Sequence, residues 1–210
     1  MQKNNTEKGN TMDNSFFSSM DTQPHAFLFA GQSTPWTSTV DEAAQNSRLL
    51  EQLRAYDAAA EALLQPAATE LLTVYGRRLD LFSYASQSLI LGDARYAEVS
   101  VPGVVLAQLA ALLDSKELGM PFASGSFVRA AGHSQGLLST DIVDVLSRLA
   151  RGEISQAGAD AQITSILAVS RLIGAAGSRI AGAQGIVPVK DASPMLSVKG
   201  ATREQIEVLI

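Results

Sequence analysis

A serine with a glycine two positions to either side lies in the middle of the chain, in the stretch VRAAGHSQGLLS. Gly132, His133, Ser134, Gln135 and Gly136 match the pattern G-x-S-x-G. In a nucleophile elbow this pattern joins a buried strand to a helix, and the strained serine backbone leaves no room for larger neighbours. The apolar run before it and the helical pattern after it meet these conditions. We therefore predict that Ser134 is a nucleophile; the alternative is a glycine-rich turn without chemistry.

A serine hydroxyl needs a base to accept its proton, and the chain has only two histidines. His133 is adjacent, but neighbouring residues that leave a strand point to opposite faces, so we expect its ring to face away from Ser134. His25 precedes the first predicted strand and is expected to be a solvated loop residue. Either the site is inactive or the catalytic histidine lies beyond residue 210. The second is favoured because the sequence ends inside a predicted amphipathic helix.

Composition excludes several classes of protein. The net charge of -5 and the scattered Lys and Arg residues argue against a nucleic-acid partner, because no basic stripe is available to neutralise phosphates. There is no cysteine, and with two histidines a bound metal is not expected. No uninterrupted apolar run approaches the roughly 20 residues of a membrane span. We therefore predict a soluble, cytoplasmic protein without membrane association.

The elements around the elbow alternate between strands and helices, which predicts an α/β fold with a parallel sheet. Residues 1–23 are polar and aperiodic and are expected to be a flexible lead. The large α/β unit is predicted over residues 24–190. Within it, Thr39 and Glu42 have the spacing of a capping box at the start of a long helix. Residues 191–210 read as a strand, a turn and the opening of a helix, and are expected to begin a separate small unit.

Three segments resemble a known family. FLFAGQSTPW, AGHSQGLLST and SPMLSVKGATREQI occur in the order and spacing of the acyltransferase domains of fatty acid synthases. The similarity is closest to the N-terminal acetyltransferase of bacterial type I synthases and of the fungal β-subunit. This resemblance implies a hydrolase-like large subdomain with a ferredoxin-like small subdomain inserted, of which residues 191–210 would be the beginning. It also implies a histidine base after the insert, so that the 210 residues alone are expected to be inactive.

The resemblance implies a reaction and a set of roles. Ser134 would take an acetyl group from acetyl-CoA and pass it to the phosphopantetheine thiol of an acyl carrier protein, with no permanently bound cofactor. The backbone N–H groups of Gln135 and Gln32 would form the oxyanion hole. The family more often has glycine where Ser33 follows Gln32. Other domains of the same synthase, and further copies of it, are the implied partners.

One position bears on the acyl group. Malonyl-specific relatives carry an arginine before a glycine on a helix after the serine, where it holds the malonyl carboxylate. The aligned position here is Ile173, followed by Gly174, and isoleucine offers an apolar wall that suits acetyl. Arg171 and Arg179 flank this position, and a shift of a few residues in the alignment would bring one of them into play.

Three alternatives to an acetyltransferase remain open. A malonyl or palmitoyl transferase of the same family is one. A serine esterase or thioesterase shares the elbow, but uses water in place of the carrier thiol. A non-catalytic segment that serves the assembly of a multienzyme is the third.

Overall fold

The computed structural model describes residues 17, 20, 22–31, 36–64, 81–82, 96–125 and 127–183. Within them the chain forms two strands, β1 (His25–Phe29) and β2 (Phe127–Gly132). Five helices accompany the strands: α1 (Trp36–Ala43), α2 (Ser47–Leu63), α3 (Tyr96–Glu117), α4 (Gly136–Ala150) and α5 (Gln156–Ala183). The fold is thus mixed α/β and mostly helical, which agrees with the predicted class.

The two strands pair in parallel, with His25 opposite Phe127 and Phe29 opposite Gly132. Parallel strands need a crossover connection, and the helices α1 to α3 lie between β1 and β2 in the chain. Residues on β1 alternate between half-buried and exposed. The ring of Phe27 stacks on Phe122, with their centroids 5.6 Å apart, and belongs to the half-buried face. Leu28 points the other way and is 81% exposed, so no residue in the part of the chain that the structure describes covers it.

The core lies among the helices. Helix α3 packs against α1, α2, α4 and α5, and α5 also packs against α2 and α4. Trp36 of α1 is buried on α3, where a Cβ added to Gly103 would come within 2.6 Å of the indole ring. Glycine at 103 is therefore what lets the two helices approach so closely.

The first two helices correct one sequence expectation. A single helix capped by Thr39 and Glu42 was predicted, but both residues lie inside α1. The first helix ends at Ala43, and the Asn46 side chain accepts a hydrogen bond from the N–H of Leu49 at 3.3 Å. An asparagine side chain that satisfies a free N–H is a strong helix start, so the second helix begins at Ser47.

Two helices, Ala97–Glu117 and Gln156–Ile180, are long and apolar enough to cross a membrane by length and composition alone. The sequence lacks an uninterrupted apolar run, and for that reason it did not single them out. Of the most apolar window of the first helix, 83% is buried inside the protein, and core helices of globular proteins pass the same test. The absence of membrane association stays a prediction.

The predicted domain boundaries fall largely outside the described residues. Residues 191–210 lie wholly outside them, and so does most of the predicted lead over residues 1–23. Within that lead, Phe17 is buried. At this position the chain is therefore packed against the rest of the protein.

Candidate functional site

Ser134 lies at a sharp turn between a strand and a helix. β2 ends at Gly132 and α4 begins at Gly136, so three residues connect the two elements. The φ angle of Ser134 is 55°, the one positive value at a non-glycine residue in the described part of the chain. A left-handed backbone costs an L-residue roughly 1–2 kcal/mol. The turn therefore stores strain at the residue that the sequence marks as the nucleophile, and it leaves this side chain exposed.

The two glycines of the motif are required by close backbone contacts. A Cβ added to Gly132 would lie 2.1 Å from the carbonyl oxygen of Gly136. A Cβ added to Gly136 would lie 2.5 Å from the carbonyl oxygen of Phe29. Both distances are far inside van der Waals contact, and the atoms that would have to move belong to the backbone. Any side chain at either position forces the turn to open.

We expect Gly132→Ala to destabilise the protein by about 3 kcal/mol, the upper end of the range for overpacking. Gly125→Ala is the matched control, because a Cβ there meets nothing within 4 Å. Urea unfolding of the two variants measures the difference, and reaction of Ser134 with a fluorophosphonate reports on the turn. Equal stability of both variants, with unchanged labelling, would show that the turn is not sterically determined.

The structure brings the end of β1 against the elbow. A Cβ added to Gly31 would lie 2.8 Å from the carbonyl oxygen of His133 and 2.9 Å from the Cβ of Ser134. The N–H of His133 donates to the carbonyl oxygen of Phe29 at 3.0 Å. The motif near the start of the sequence and the serine motif are therefore adjacent in space. Gln32, the predicted second oxyanion donor, lies outside the described residues.

The Ser134 hydroxyl donates to the side-chain oxygen of Gln135 at 2.7 Å. His133 is exposed, and it makes its described hydrogen bonds through its backbone. His25 begins β1 and is half-buried beside Phe27, at 6.0 Å between ring centroids, rather than in a solvated loop as expected. Four residues of strand separate it from the elbow end of β1, which is about 13 Å. In the part of the chain that the structure describes, the Ser134 hydroxyl thus has a hydrogen bond to Gln135 and none to either histidine.

Helix α4 presents its N-terminus to the serine. The N–H groups of Gly136, Leu137 and Leu138 bond to the carbonyls three residues before them, and this series begins one residue after Gln135. A helix N-terminus carries a partial positive charge and favours a negative ligand. This geometry suits the role predicted for the Gln135 N–H, the stabilisation of a negative oxygen next to Ser134.

The predicted acyl-pocket residue is on α5. Ile173 is 49% exposed, whereas the next residue, Gly174, packs on the start of α3. A Cβ at Gly174 would lie 2.7 Å from the carbonyl oxygen of Ala97. A half-exposed isoleucine forms the wall of a pocket only where another element covers it, so its role stays a prediction.

Arg171 is already engaged by a carboxylate of the protein. Its guanidinium is buried, and its Nε and Nη2 both donate to Asp57 Oδ1, at 3.1 Å and 2.6 Å. This ion pair joins α5 to α2 across the core. A shift of the alignment that placed Arg171 at the acyl pocket would therefore require a substrate carboxylate to displace Asp57.

A groove of about 650 Å³ lies between α2, α3 and α5. Inside it, the Tyr56 hydroxyl donates to Asp160 Oδ1 at 2.5 Å, and Gln156 Nε2 donates to the same oxygen at 2.8 Å. Burial, followed by the bond to Asp160, raises the pKa of the Tyr56 phenol. No residue of the elbow lines this groove, so it is not the acyl site that the sequence predicts.

Sequence reasoning missed a polar cluster behind the elbow. Gln108 of α3 donates from Nε2 to the carbonyl oxygen of Ala30 at 2.7 Å, and its Oε1 accepts from the Ser139 hydroxyl at 2.5 Å. The available signal was a single glutamine in the otherwise apolar run VPGVVLAQLAALL. A buried amide persists in such a run only when its hydrogen bonds are satisfied.

No group of three or more His, Asp or Glu side chains that could hold a metal ion comes together among the residues that the structure describes. The absence of a metal stays a prediction.

In comparisons with known proteins, no protein-family model, no curated protein and no solved structure matches the chain.

Proposed function

We propose that the chain is an acyltransferase of fatty acid synthesis that loads acetyl groups through an ester on Ser134. The observation that carries the proposal is the positive φ of Ser134 at a strand-to-helix turn whose flanking glycines are sterically required. Backbone strain of this kind collects at functional sites. The parallel pairing of β1 with β2 is compatible with the hydrolase-like acyltransferase subdomain that the sequence resembles.

The reaction has two steps of the same kind. In the first, the Ser134 oxygen attacks the thioester carbonyl of acetyl-CoA, a C–O bond forms and the C–S bond breaks. The serine proton passes to a base and from it to the sulfur of coenzyme A, which leaves as its thiol. In the second, the phosphopantetheine thiol of the carrier protein gives its proton to the base and attacks the serine ester. A C–S bond forms, the ester C–O bond breaks, and the proton passes from the base to the Ser134 oxygen. The resemblance to the acyltransferase family implies a histidine as this base.

Negative charge develops on the carbonyl oxygen in both steps. The N–H of Gln135, at the start of α4, is assigned as one donor, and the N–H of Gln32 as the second. Support for the second assignment comes from the close approach of Gly31 to Ser134. Losing one such donor costs an enzyme about a hundredfold or more in rate.

Acetyl is the proposed acyl group, because the aligned pocket position carries Ile173 and Arg171 is occupied by Asp57. A malonyl carboxylate buried without a cationic partner would pay a large desolvation cost. Malonyl or palmitoyl transfer within the same family is the alternative.

We expect Ile173→Arg to lower the ratio of kcat/KM for acetyl-CoA over malonyl-CoA by about tenfold or more, the effect of one hydrogen bond to a charged group. Ile180→Arg is the matched control, since Ile180 is also exposed on α5 and should leave the ratio unchanged. Steady-state rates with the two thioesters measure it. An unchanged ratio in Ile173→Arg would remove Ile173 from the acyl pocket.

The proposal is tested by incubating the full-length natural protein with radiolabelled acetyl-CoA and locating the label by peptide mapping. Label on the peptide that contains Ser134, with transfer to an added acyl carrier protein, is the expected result. Release of free acetate at a rate independent of the carrier protein would identify a serine esterase or thioesterase instead. Absence of label from Ser134 would leave a non-catalytic assembly segment.

The same proposal also names the partners of the protein, its substrates and its location in the cell. An acyl carrier protein domain and the other domains of one cytoplasmic synthase are its partners, and the full enzyme is a homo-oligomer. Acetyl-CoA is a substrate, and phosphopantetheine belongs to the carrier protein. Neither nucleic acid nor a membrane takes part.

A further inference from the structure

Helix α3 carries one polar side chain to the back of the elbow. Gln108 is 8% exposed, and each end of its amide has a partner on a different element. Nε2 donates to the Ala30 carbonyl just after β1, and Oε1 accepts from Ser139 on α4. This one side chain thus joins the loop after β1 to the helix that begins at the serine.

The hydrogen bond from Gln108 to Ala30 matters because Ala30 adjoins the backbone that approaches Ser134. Ala30 immediately precedes Gly31, whose added Cβ would lie 2.9 Å from that of Ser134. On the other side, Ser139 follows Ser134 by five residues and is fully buried. The Gln108 amide therefore sets the distance between the loop backbone and the serine from behind, without reaching the solvent side where a substrate would bind.

We propose that Gln108 is a positioning residue for acyl transfer, holding the Ala30–Gly31 backbone in register with Ser134. It is not a catalytic residue, because its contacts are with the protein. The inference rests on the proposed function, since the loop it holds leads into the second oxyanion donor. Misplacement of a catalytic group by about 1 Å can cost a hundredfold in rate.

Replacement of Gln108 by methionine keeps the length of the side chain and removes both hydrogen bonds. In the full-length protein, we expect kcat for acylation to fall about a hundredfold, with KM for acetyl-CoA changed less than threefold. Ser139→Ala is the matched control. It removes the bond to Oε1 but leaves the bond to Ala30, so kcat should fall less than fivefold.

Replacement of Gln108 by glutamate separates positioning from folding. An ionised carboxylate cannot donate to the Ala30 carbonyl, whereas a protonated one can. Relative to wild type at the same pH, the acylation rate of Gln108→Glu should therefore rise as the pH is lowered, and that of Gln108→Met should stay flat. Urea unfolding at each pH is the control for folding, and a loss of rate that follows the loss of stability in both variants would make the role purely structural.

A second readout keeps this inference distinct from the proposed function. Fluorophosphonates react with activated serines without needing coenzyme A. Slow labelling of Ser134 in Gln108→Met, with normal labelling in Ser139→Ala, supports positioning even if acetyl-CoA proves not to be the substrate. Equal labelling rates in wild type and both variants, or equal losses in both variants, would overturn it.

Discussion

Replacing Ser134 with alanine is expected to abolish acetylation of the protein and to lower the rate of acetyl transfer by about ten thousandfold or more, as loss of a catalytic serine does in other enzymes. Alanine tolerates the left-handed backbone no worse than serine, so the elbow should keep its shape. The measurement is single-turnover release of coenzyme A, together with the mass of the intact protein. Urea unfolding of wild type and variant should agree within about 0.5 kcal/mol.

Two further variants make this result specific. Ser134→Cys retains a nucleophile in the same geometry and should form a thioester that hydroxylamine removes. His133→Ala changes the exposed neighbour and should keep acylation within a few fold of wild type, because the Ser134 hydroxyl contacts Gln135 rather than that imidazole. Acetylation that persists in Ser134→Ala would contradict the assignment of Ser134 as the nucleophile. A fall in acylation rate in His133→Ala as large as in Ser134→Ala would make His133 the base.

Replacing Asp57 with alanine is expected to destabilise the protein by about 3–5 kcal/mol, because it leaves the charge of Arg171 buried without its partner. Arg171 is only 1% exposed, so its charge lies away from bulk water. The loss should be concentrated where the pair joins α2 to α5. Hydrogen exchange, read peptide by peptide in the full-length protein, should show lower protection in both helices, and urea unfolding gives the total.

The surface pair Arg48 and Glu117 supplies the comparison. Its atoms are 3.5 Å apart and Arg48 is largely exposed, so Glu117→Ala should cost less than about 1 kcal/mol. Changing Asp57 to leucine and Arg171 to methionine together removes both charges, and should recover most of the stability lost in Asp57→Ala. If Asp57→Ala costs no more than Glu117→Ala, the buried pair contributes nothing to the fold.

Hydrophobic periodicity predicted the elements in which the apolar side chains recur at regular spacing. The strand before Ser134 and the helix after it were expected from the apolar run and the helical pattern on either side of the serine, and they are observed as β2 and α4. Breaks within helical runs were not expected, because they depend on single polar contacts. Asn46 captures the N–H of Leu49 and divides one predicted helix into two. Helix α3 begins at Tyr96 and continues through Pro102, which lies inside it.

The candidate site likewise has features that the sequence predicted and features that it did not. Ser134 and its glycines were found from sequence because the turn imposes a local pattern of residue types. The approach of Gly31 to Ser134 is a contact between segments a hundred residues apart in the sequence, and it was inferred only from resemblance. Gln108 was not identified from sequence, because one amide in an apolar helix follows no local pattern. Its role is seen only from its hydrogen bonds to Ala30 and Ser139.

The backbone angle at Ser134 has an evolutionary consequence. Glycine adopts a φ of 55° without the steric cost that serine pays. Selection for stability alone would therefore favour glycine at this position, which lies between the two glycines, Gly132 and Gly136, that the fold already requires. A lineage that keeps serine here gives up about 1 kcal/mol of stability, and retention of serine across descendants of this sequence is what a requirement for its hydroxyl predicts.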